Sequence, residues 1–460
     1  MLKVDLLVLG SGPAGTRAAL RARRAGRRVA VVERRGLVGG RCVHTGTIPS
    51  KTLRQAIMDL TGYQYQGLYG DVFPPRPDVP MAELRARCEK VIAAETAIHY
   101  RMLESRGVEA LTGEARFLDS HRVRVECAEG STDVHGERIL IAAGSEPFRP
   151  EGIPFDGRRI LDSDQILTIP RLPETLAVVG GGVIGSEYAA FFSLLSTDIT
   201  LIHRGSHLMP FVDDDIIAKL EEILAVRGVH LRTGTTIERY ELLDEGVRLT
   251  LGDDTTAEFG AVLYCAGRRG STAGLDLAKA GLAADAHGCL AVDSDFRTAV
   301  PHIHAAGDVI GYPSLASVSQ EQGRVAACRA LDVPCRPVEA LLPFGVWTVP
   351  EISMVGPTEA MARAQGLDVV AGRGRYEDTA RGQILGDRSG LLKLLVDRGT
   401  RRLVAAHMIG MDATELIHLA QLAITFEASY TVFIRQVMNY PTLSRVYKAA
   451  AWNVLEQLGD

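Results

Sequence analysis

An α/β fold with two separate βαβ nucleotide units and a C-terminal α+β domain is predicted by three observations. A strand runs into a glycine-rich loop and a helix near the N-terminus. The same arrangement recurs about 170 residues later, and beyond about residue 337 it is replaced by alternating strand-like and helix-like runs. The 460 residues leave room for about three domains of ~150 residues each, so a single small module is excluded. With 51 basic and 56 acidic residues the net charge is -5, which excludes nucleic-acid binding by bulk charge. Glycine, at 47 residues, exceeds the ~7% usual in proteins, as expected where backbone turns tightly or closely approaches a ligand.

The first unit is a strand over 4–9, the loop Gly10-Ser11-Gly12-Pro13-Ala14-Gly15, a helix to about 26 and a strand over 29–33. In such a unit one glycine makes the turn, the next lets backbone approach a pyrophosphate and the third lets helix pack on strand. The helix N-terminus attracts the phosphates. Glu33, at the end of the second strand, is placed to accept hydrogen bonds from an adenosine ribose.

The second unit has a strand over 176–179, the loop Gly180-Gly181-Gly182-Val183-Ile184-Gly185, a helix and a strand over 199–202. Two dinucleotide sites imply two nucleotides, and flavin plus nicotinamide is the simplest pair between which a hydride can pass. A duplication with one inactive copy is the alternative. An acid after the last strand would hold the 2′-hydroxyl of NAD, whereas basic residues accommodate a 2′-phosphate. This chain has His203-Arg204, followed by His207. NADP(H) fits that pair, and a merely solvated basic loop is the other reading.

The stretch 64–80, with four prolines, reads as an irregular connection, and 81–106 as a long helix. The C-terminal part alternates strand-like runs over 391–396 and 403–408 with helix-like runs over 413–426 and 443–457. The resulting segments are 1–150, 151–270, 271–335 and 336–460.

Several signals carry less. No apolar run reaches the ~18 residues of a membrane span, and Asp5 interrupts what would be a leader's apolar core, so neither membrane nor secretion is expected and the chain reads as cytoplasmic. Seven cysteines without a Cys-x-x-Cys pair argue against a disulfide framework or a zinc site, and most are expected as buried thiols. Arg17, Arg21, Arg23, Arg24, Arg27, Arg28, Arg34 and Arg35 read as a solvated face. His302 and His304 lack a third ligand, so no metal is expected.

From end to end the chain resembles the FAD-dependent pyridine nucleotide-disulfide oxidoreductases. Besides the two loops, the resemblance rests on Gly39-Gly40-Arg41-Cys42 through Ile48-Pro49-Ser50-Lys51, Ala142-Ala143-Gly144, Ala266-Gly267-Arg268, Thr298 through Ala306-Gly307-Asp308, and Thr348-Val349-Pro350-Glu351-Ile352. It implies FAD at the first loop, with 1–150 and 271–335 as the two parts of its domain. NAD(P) is implied within 151–270, and 336–460 becomes an interface domain forming a homodimer or a larger assembly built on one. Beyond the first loop and Glu33, the implied FAD contacts are Arg34, Gly39, Gly40, Arg41, Cys42, Lys51, Gly144, Asp308, Leu315 and Ala316. The helix opening near Ser314 would aim its positive end at the flavin C2 carbonyl. Implied NAD(P) contacts are Gly180, Gly182, Val183, Ile184, Gly185, Glu187 and Gly267, with His203 and Arg204. Lys51 and Glu187 align with a buried ion pair beside flavin N5.

Two departures bear on function. The family's disulfide reductases carry two cysteines five positions apart, and here Cys42 is followed by Thr47. Their His-Pro-Thr motif is replaced by Tyr440-Pro441-Thr442, with Arg445 shortly after. The second thiol and the acid of disulfide chemistry are thus missing, while the residues for flavin and nicotinamide remain. This pattern resembles the branch that passes a hydride from NADPH to NAD+ through flavin N5, although Arg445 departs from it. Lys51, Glu187, Tyr440 and Cys42 are the candidate catalytic residues. Alternatives are an NAD(P)H oxidoreductase reducing a quinone, metal ion, dioxygen or peroxide through a sulfenate at Cys42, and a non-catalytic flavoprotein.

Overall fold

Strand Leu2–Leu9 is apolar and buried on both faces from Leu6 onward, as a strand covered on both sides must be, and it lies in a seven-stranded sheet. Val29–Glu33 pairs parallel with one side of this strand and Gly130–Ile141 parallel with the other, and Ile303–Ala305 pairs parallel with Gly130–Ile141. Helix Pro13–Arg24 starts with proline at its first position and buries Ala14, Ala18, Ala19 and Ala22. The computed structural model describes residues 1–63, 68 and 79–459, so most of the expected irregular connection over 64–80 lies outside the described residues.

The chain divides into two units. The first comprises Met1–Thr52, Arg85–Phe148 and Gly267–Glu339, and contains the seven-stranded sheet and the ribbon of Ser145–Pro147 with Arg268–Gly270. The second comprises Leu53–Leu84, Arg149–Ala266 and Ala340–Asp460. It holds a parallel sheet in the order His230–Arg232, Asp198–Ile202, Thr175–Val179, Ala261–Tyr264 and Ile160–Asp162. It also holds an antiparallel one in the order Phe344–Val346, Glu351–Val355, Leu403–Gly410, Leu391–Asp397 and Val369–Arg375. Segments 151–270 and 336–460, expected as separate domains, therefore fall mainly in one unit.

Side-chain bonds within the second unit account for that grouping. Lys393, only 3% exposed, places Nζ 2.8 Å from Asp213, 3.3 Å from Asp215 and 2.7 Å from Glu359. Asp213 also caps helix Asp214–Val226 and accepts the Glu359 N–H at 3.0 Å. Arg54 donates from Nε to the Thr348 carbonyl at 2.9 Å and pairs with Glu351 at 3.4 Å. Glu351 in turn accepts from the N–H and hydroxyl of Thr414, in the first turn of helix Ala413–Thr425.

Three expectations need correction. The last helix is Val446–Leu458, preceded by the single 3-10 turn Leu443–Arg445, because the Pro441 region delays the helix start. Only Cys88 and Cys328 are buried among the seven cysteines. The arginine cluster is not wholly solvated: Arg23 donates to the carbonyls of Arg106 at 2.7 Å and Arg27 at 2.8 Å, and Arg21 reaches the Cys328 sulfur at 3.2 Å. Each tethers the end of helix Pro13–Arg24.

Lys393→Ala is expected to cost about 3–5 kcal/mol in a denaturant titration, because three carboxylates lose their shared cation. Burial opposes ionisation of Asp213 and Glu359, but hydrogen bonds, including those from Lys393, outweigh it and lower both. Burial likewise opposes the charge on Lys393, and hydrogen bonds to Asp213 and Glu359 raise it. The carboxylate contribution is therefore complete above their ordinary values near ~4 and is lost as pH falls through the lowered ones. The lysine contribution is complete below ~10.4 and is lost as pH rises through its raised value. The stability gap between wild type and variant should be flat between about pH 5 and 10 and shrink on either side.

Candidate active site

Two positions of the first glycine loop, Gly10 and Gly15, have no room for a side chain. Gly10 has φ +110°, and a Cβ at Gly15 would overlap the Gly10 carbonyl. Ser11 donates its N–H to Glu33 at 3.2 Å and its hydroxyl to the same oxygen, while Gly39 N–H donates to the Ser11 hydroxyl at 3.1 Å. Glu33 thus braces the loop, with its other oxygen 3.4 Å from the Arg35 N–H. A Cβ at Gly40 would lie 2.9 Å from the Gly12 Cα, so the loop and the start of helix Gly40–His44 nearly touch.

Asp308 lies beyond strand Ile303–Ala305 and accepts from the hydroxyls of Ser145 at 2.8 Å and Ser319 at 3.4 Å. Ser145 accepts from Arg268 Nε at 2.9 Å, which orients its hydroxyl toward Asp308. Gly307 N–H donates to Gln322 at 2.9 Å. Helix Ala316–Ala330 opens after Leu315, as expected from the sequence. Arg41 pairs with Glu146 at 3.4 Å, and Arg34 is exposed. Gly144 has φ +71° and accepts the Ser271 N–H at 2.9 Å. Gly267, assigned from the sequence to the second nucleotide, belongs to the first unit and opens the ribbon with Ser145–Pro147.

Cys42 sits in helix Gly40–His44 and Thr47 opens helix Thr47–Thr61. Burial pushes the Cys42 thiol above its ordinary value, against a hydrogen bond with Thr47 and the charge of Lys51 that pull it down. The balance disfavours the nucleophilic thiolate form of this sulfur.

In the second unit Gly180 has φ +113°, and a Cβ there would lie 2.9 Å from the Cys265 backbone. Gly185 packs on the Gly180 carbonyl as Gly15 does on Gly10, and Val183 and Ile184 begin helix Val183–Phe192. Glu187, on that helix, is 3% exposed and accepts the Trp347 N–H at 2.9 Å. The His203 ring lies against Gly181 and Gly205. Burial, then the neighbouring Arg204 charge, lowers the His203 pKa, so the exposed Arg204 is the charged member of the pair. Tyr440 is exposed, with the Arg445 guanidinium 5.0 Å from its ring centre.

The helices at Pro13, Val183 and Ala316 lack a side-chain cap and an acid in the first turn. Helices Asp214–Val226 and Glu359–Ala364, by contrast, have both. The free N–H groups of the three uncapped helices need acceptors, and a Cβ at Gly12 or Gly182 would meet nothing within 4 Å. Open, uncapped, cationic helix ends suit dinucleotide phosphates.

Residues 4–323 match the model of the pyridine nucleotide-disulphide oxidoreductases, and 342–451 that of their dimerisation domain. The chain belongs to this family. Its members are FAD-dependent and use NAD(P)H, so the protein is an FAD-dependent oxidoreductase. A soluble pyridine nucleotide transhydrogenase of Mycobacterium bovis (strain BCG / Pasteur 1173P2) is 40% identical, covering 100% of this chain and 98% of that protein. One from Marinobacter nauticus is 38% identical, covering 99% and 98%. Among solved structures, LpdA of Mycobacterium tuberculosis aligns with TM-score 0.89 at 28% identity, covering 98% of this chain and 99% of that one. The HOCl-induced flavoprotein disulfide reductase RclA of Escherichia coli, as its Cu(II) complex, aligns with TM-score 0.88 at 27% identity and the same coverage.

Sequence reasoning missed Ser11, Ser145 and Arg268, which act on the site only through other side chains. Ser11, inside the glycine motif, and Arg268, inside Ala266-Gly267-Arg268, lay in quoted motifs, whereas Ser145 had no such signal. Among the described residues no three His, Cys, Asp or Glu side chains could hold a metal ion, and no helix is long and apolar enough to cross a membrane.

The two loops can be told apart by substitution. Gly10→Ala should purify with little flavin absorbance. Gly180→Ala should keep its flavin while its dinucleotide Kd rises at least tenfold, or about 1.4 kcal/mol. Equilibrium binding and the visible spectrum measure both.

Proposed function

We propose that this enzyme is a transhydrogenase, moving a hydride from NADPH to NAD+. Thr47, five positions after Cys42 and hydrogen-bonded to it, carries the proposal, because a hydroxyl cannot complete a redox dithiol. The raised pKa of Cys42 supports the same reading. Bound FAD would supply N5 as hydride acceptor from NADPH and donor to NAD+. The first loop, Glu33 and Asp308 would then hold FAD, and the second loop the nicotinamide dinucleotide. The resemblance to disulfide oxidoreductases supplies Lys51 and Glu187 as an ion pair, and the burial of Glu187 is in keeping with that role. Arg204 would favour a 2′-phosphate without excluding a nucleotide that lacks one.

The names of the transhydrogenase relatives support this reading. The dimerisation-domain match, with exposed Phe426, Val437, Tyr440 and Trp452, supports a homodimer formed through the C-terminal segment. We place the enzyme in the cytoplasm, in keeping with relatives described as soluble.

Mixed under anaerobic conditions, NADPH should bleach the flavin absorbance and NAD+ should restore it; bleaching without recovery would overturn the proposal. With one nicotinamide pocket per flavin, steady-state turnover should be ping-pong, with parallel double-reciprocal lines. Cys42→Ser should keep its transhydrogenase rate within about tenfold, or ~1.4 kcal/mol of barrier. Arg204→Ala should lower kcat/KM for NADPH about tenfold, ~1.4 kcal/mol, with little change for NADH. Parallel measurements with both nucleotides test this.

A further inference from the structure

Helix Ala316–Ala330, which begins beside the candidate flavin site, ends in a structure that brings two cysteines together. Leu331 is its last cap, and Asp332 follows in the left-handed region with φ +54°. Asp332 N–H donates to the Arg329 carbonyl at 3.4 Å and Val333 N–H to the Cys328 carbonyl at 2.8 Å. These two bonds form a Schellman motif, which reverses the chain on leaving the helix. The reversal carries Pro334 and Cys335 back over the last turn, close enough for Cys335 to act on the Cys328 thiol.

Two arginines fasten this return. Arg21 donates from Nε to the Cys328 sulfur at 3.2 Å and from Nη2 to the Pro334 carbonyl at 3.5 Å. Arg324, one turn before Cys328, donates to the Arg336 carbonyl at 3.0 Å. Residues on both sides of Cys335 are thus held against the helix that bears Cys328. Cys328 is fully buried, whereas Cys335 is only half-buried. Two neighbouring thiols, one partly exposed and one sheltered, on segments fastened together by two guanidinium groups have the arrangement of an attacking and a resolving cysteine.

We propose that Cys335 and Cys328 form a reversible disulfide when the enzyme meets a hydroperoxide. The Cys335 sulfur, as thiolate, attacks one peroxide oxygen. The O–O bond breaks, hydroxide leaves and is protonated to water, and Cys335 becomes a sulfenic acid. The Cys328 sulfur then attacks the Cys335 sulfur, the S–S bond forms, and the sulfenic oxygen leaves as a second water after taking the Cys328 proton. Two thiols lose two electrons and two protons, and one hydrogen peroxide becomes two waters. Burial pushes the Cys328 thiol up while the Arg21 N–H pulls it down, which suits a sulfur that stays protonated until its partner is oxidised. Cys42 has Thr47 beside it and has no resolving thiol within the active segment, so this pair is separate from the hydride path.

The test treats the FAD-loaded full chain with hydrogen peroxide, alkylates it under denaturing conditions and maps the peptides by mass spectrometry. The expected result is loss of alkylation at both Cys328 and Cys335. A linked species two hydrogens lighter than the reduced peptides should appear and disappear with dithiothreitol. Cys335→Ser, which leaves the buried position intact, should abolish the linkage and leave Cys328 alkylated to its untreated level. Peroxide treatment that leaves both thiols alkylatable would overturn the proposal. So would conversion of Cys335 to sulfinic or sulfonic acid with Cys328 still reduced, or linkage of either cysteine to a different one.

Discussion

In the first unit everything at the candidate flavin site depends on how closely two helices approach. A Cβ at Gly323 would overlap the Ala14 carbonyl, and Gly307 leaves only 3.1 Å between its own missing Cβ and that of Ala14. Because neither glycine has a side chain, helix Ala316–Ala330 lies directly against helix Pro13–Arg24. The free N–H groups of the first helix, the turn at Asp308 and the start of the second helix are thereby fixed relative to one another. Any side chain at Gly323 would push the two helix ends apart and separate groups meant for one cofactor.

The second unit is organised by buried charge. Lys393, Glu187 and Arg54 are groups seldom found buried unless paired, and each has polar partners contributed by a different part of the chain. Such pairs add little net stability over an apolar core, but a removed partner leaves an uncompensated charge. Their effect is to tie the elements around the second glycine loop to the antiparallel sheet. Glu187 illustrates this, since Trp347, close to strand Phe344–Val346, holds its carboxylate.

These two frameworks give the chemistry its direction. The chain belongs to a family of disulphide oxidoreductases, yet its active segment carries a thiol beside a hydroxyl. On the proposed reading the flavin site is kept, while a dithiol route for electrons is missing because Thr47 replaces the second cysteine. The proposed thiol pair at Cys328 and Cys335 lies instead at the far end of the helix from the flavin side. It would report on oxidants without lying on the hydride path.

The sequence by itself determined the two βαβ units and nearly all their strands, because glycine spacing and apolar runs are local and the backbone has few ways to satisfy them. It also determined the family and the loss of the second thiol, both of which are matters of residue identity. Only the tertiary structure decided what depends on residues far apart in the chain. Ser11 and Glu33 are 22 positions apart, Ser145 and Asp308 are 163 apart, and Lys393 and Asp213 are 180 apart, and none of these pairs has a periodic signature. The same reason explains the arginines of the first helix. Their spacing reads as a solvated face, but Arg21 finds the Cys328 thiol and the Pro334 carbonyl, and Arg23 the Arg106 carbonyl, which only the folded chain brings within reach.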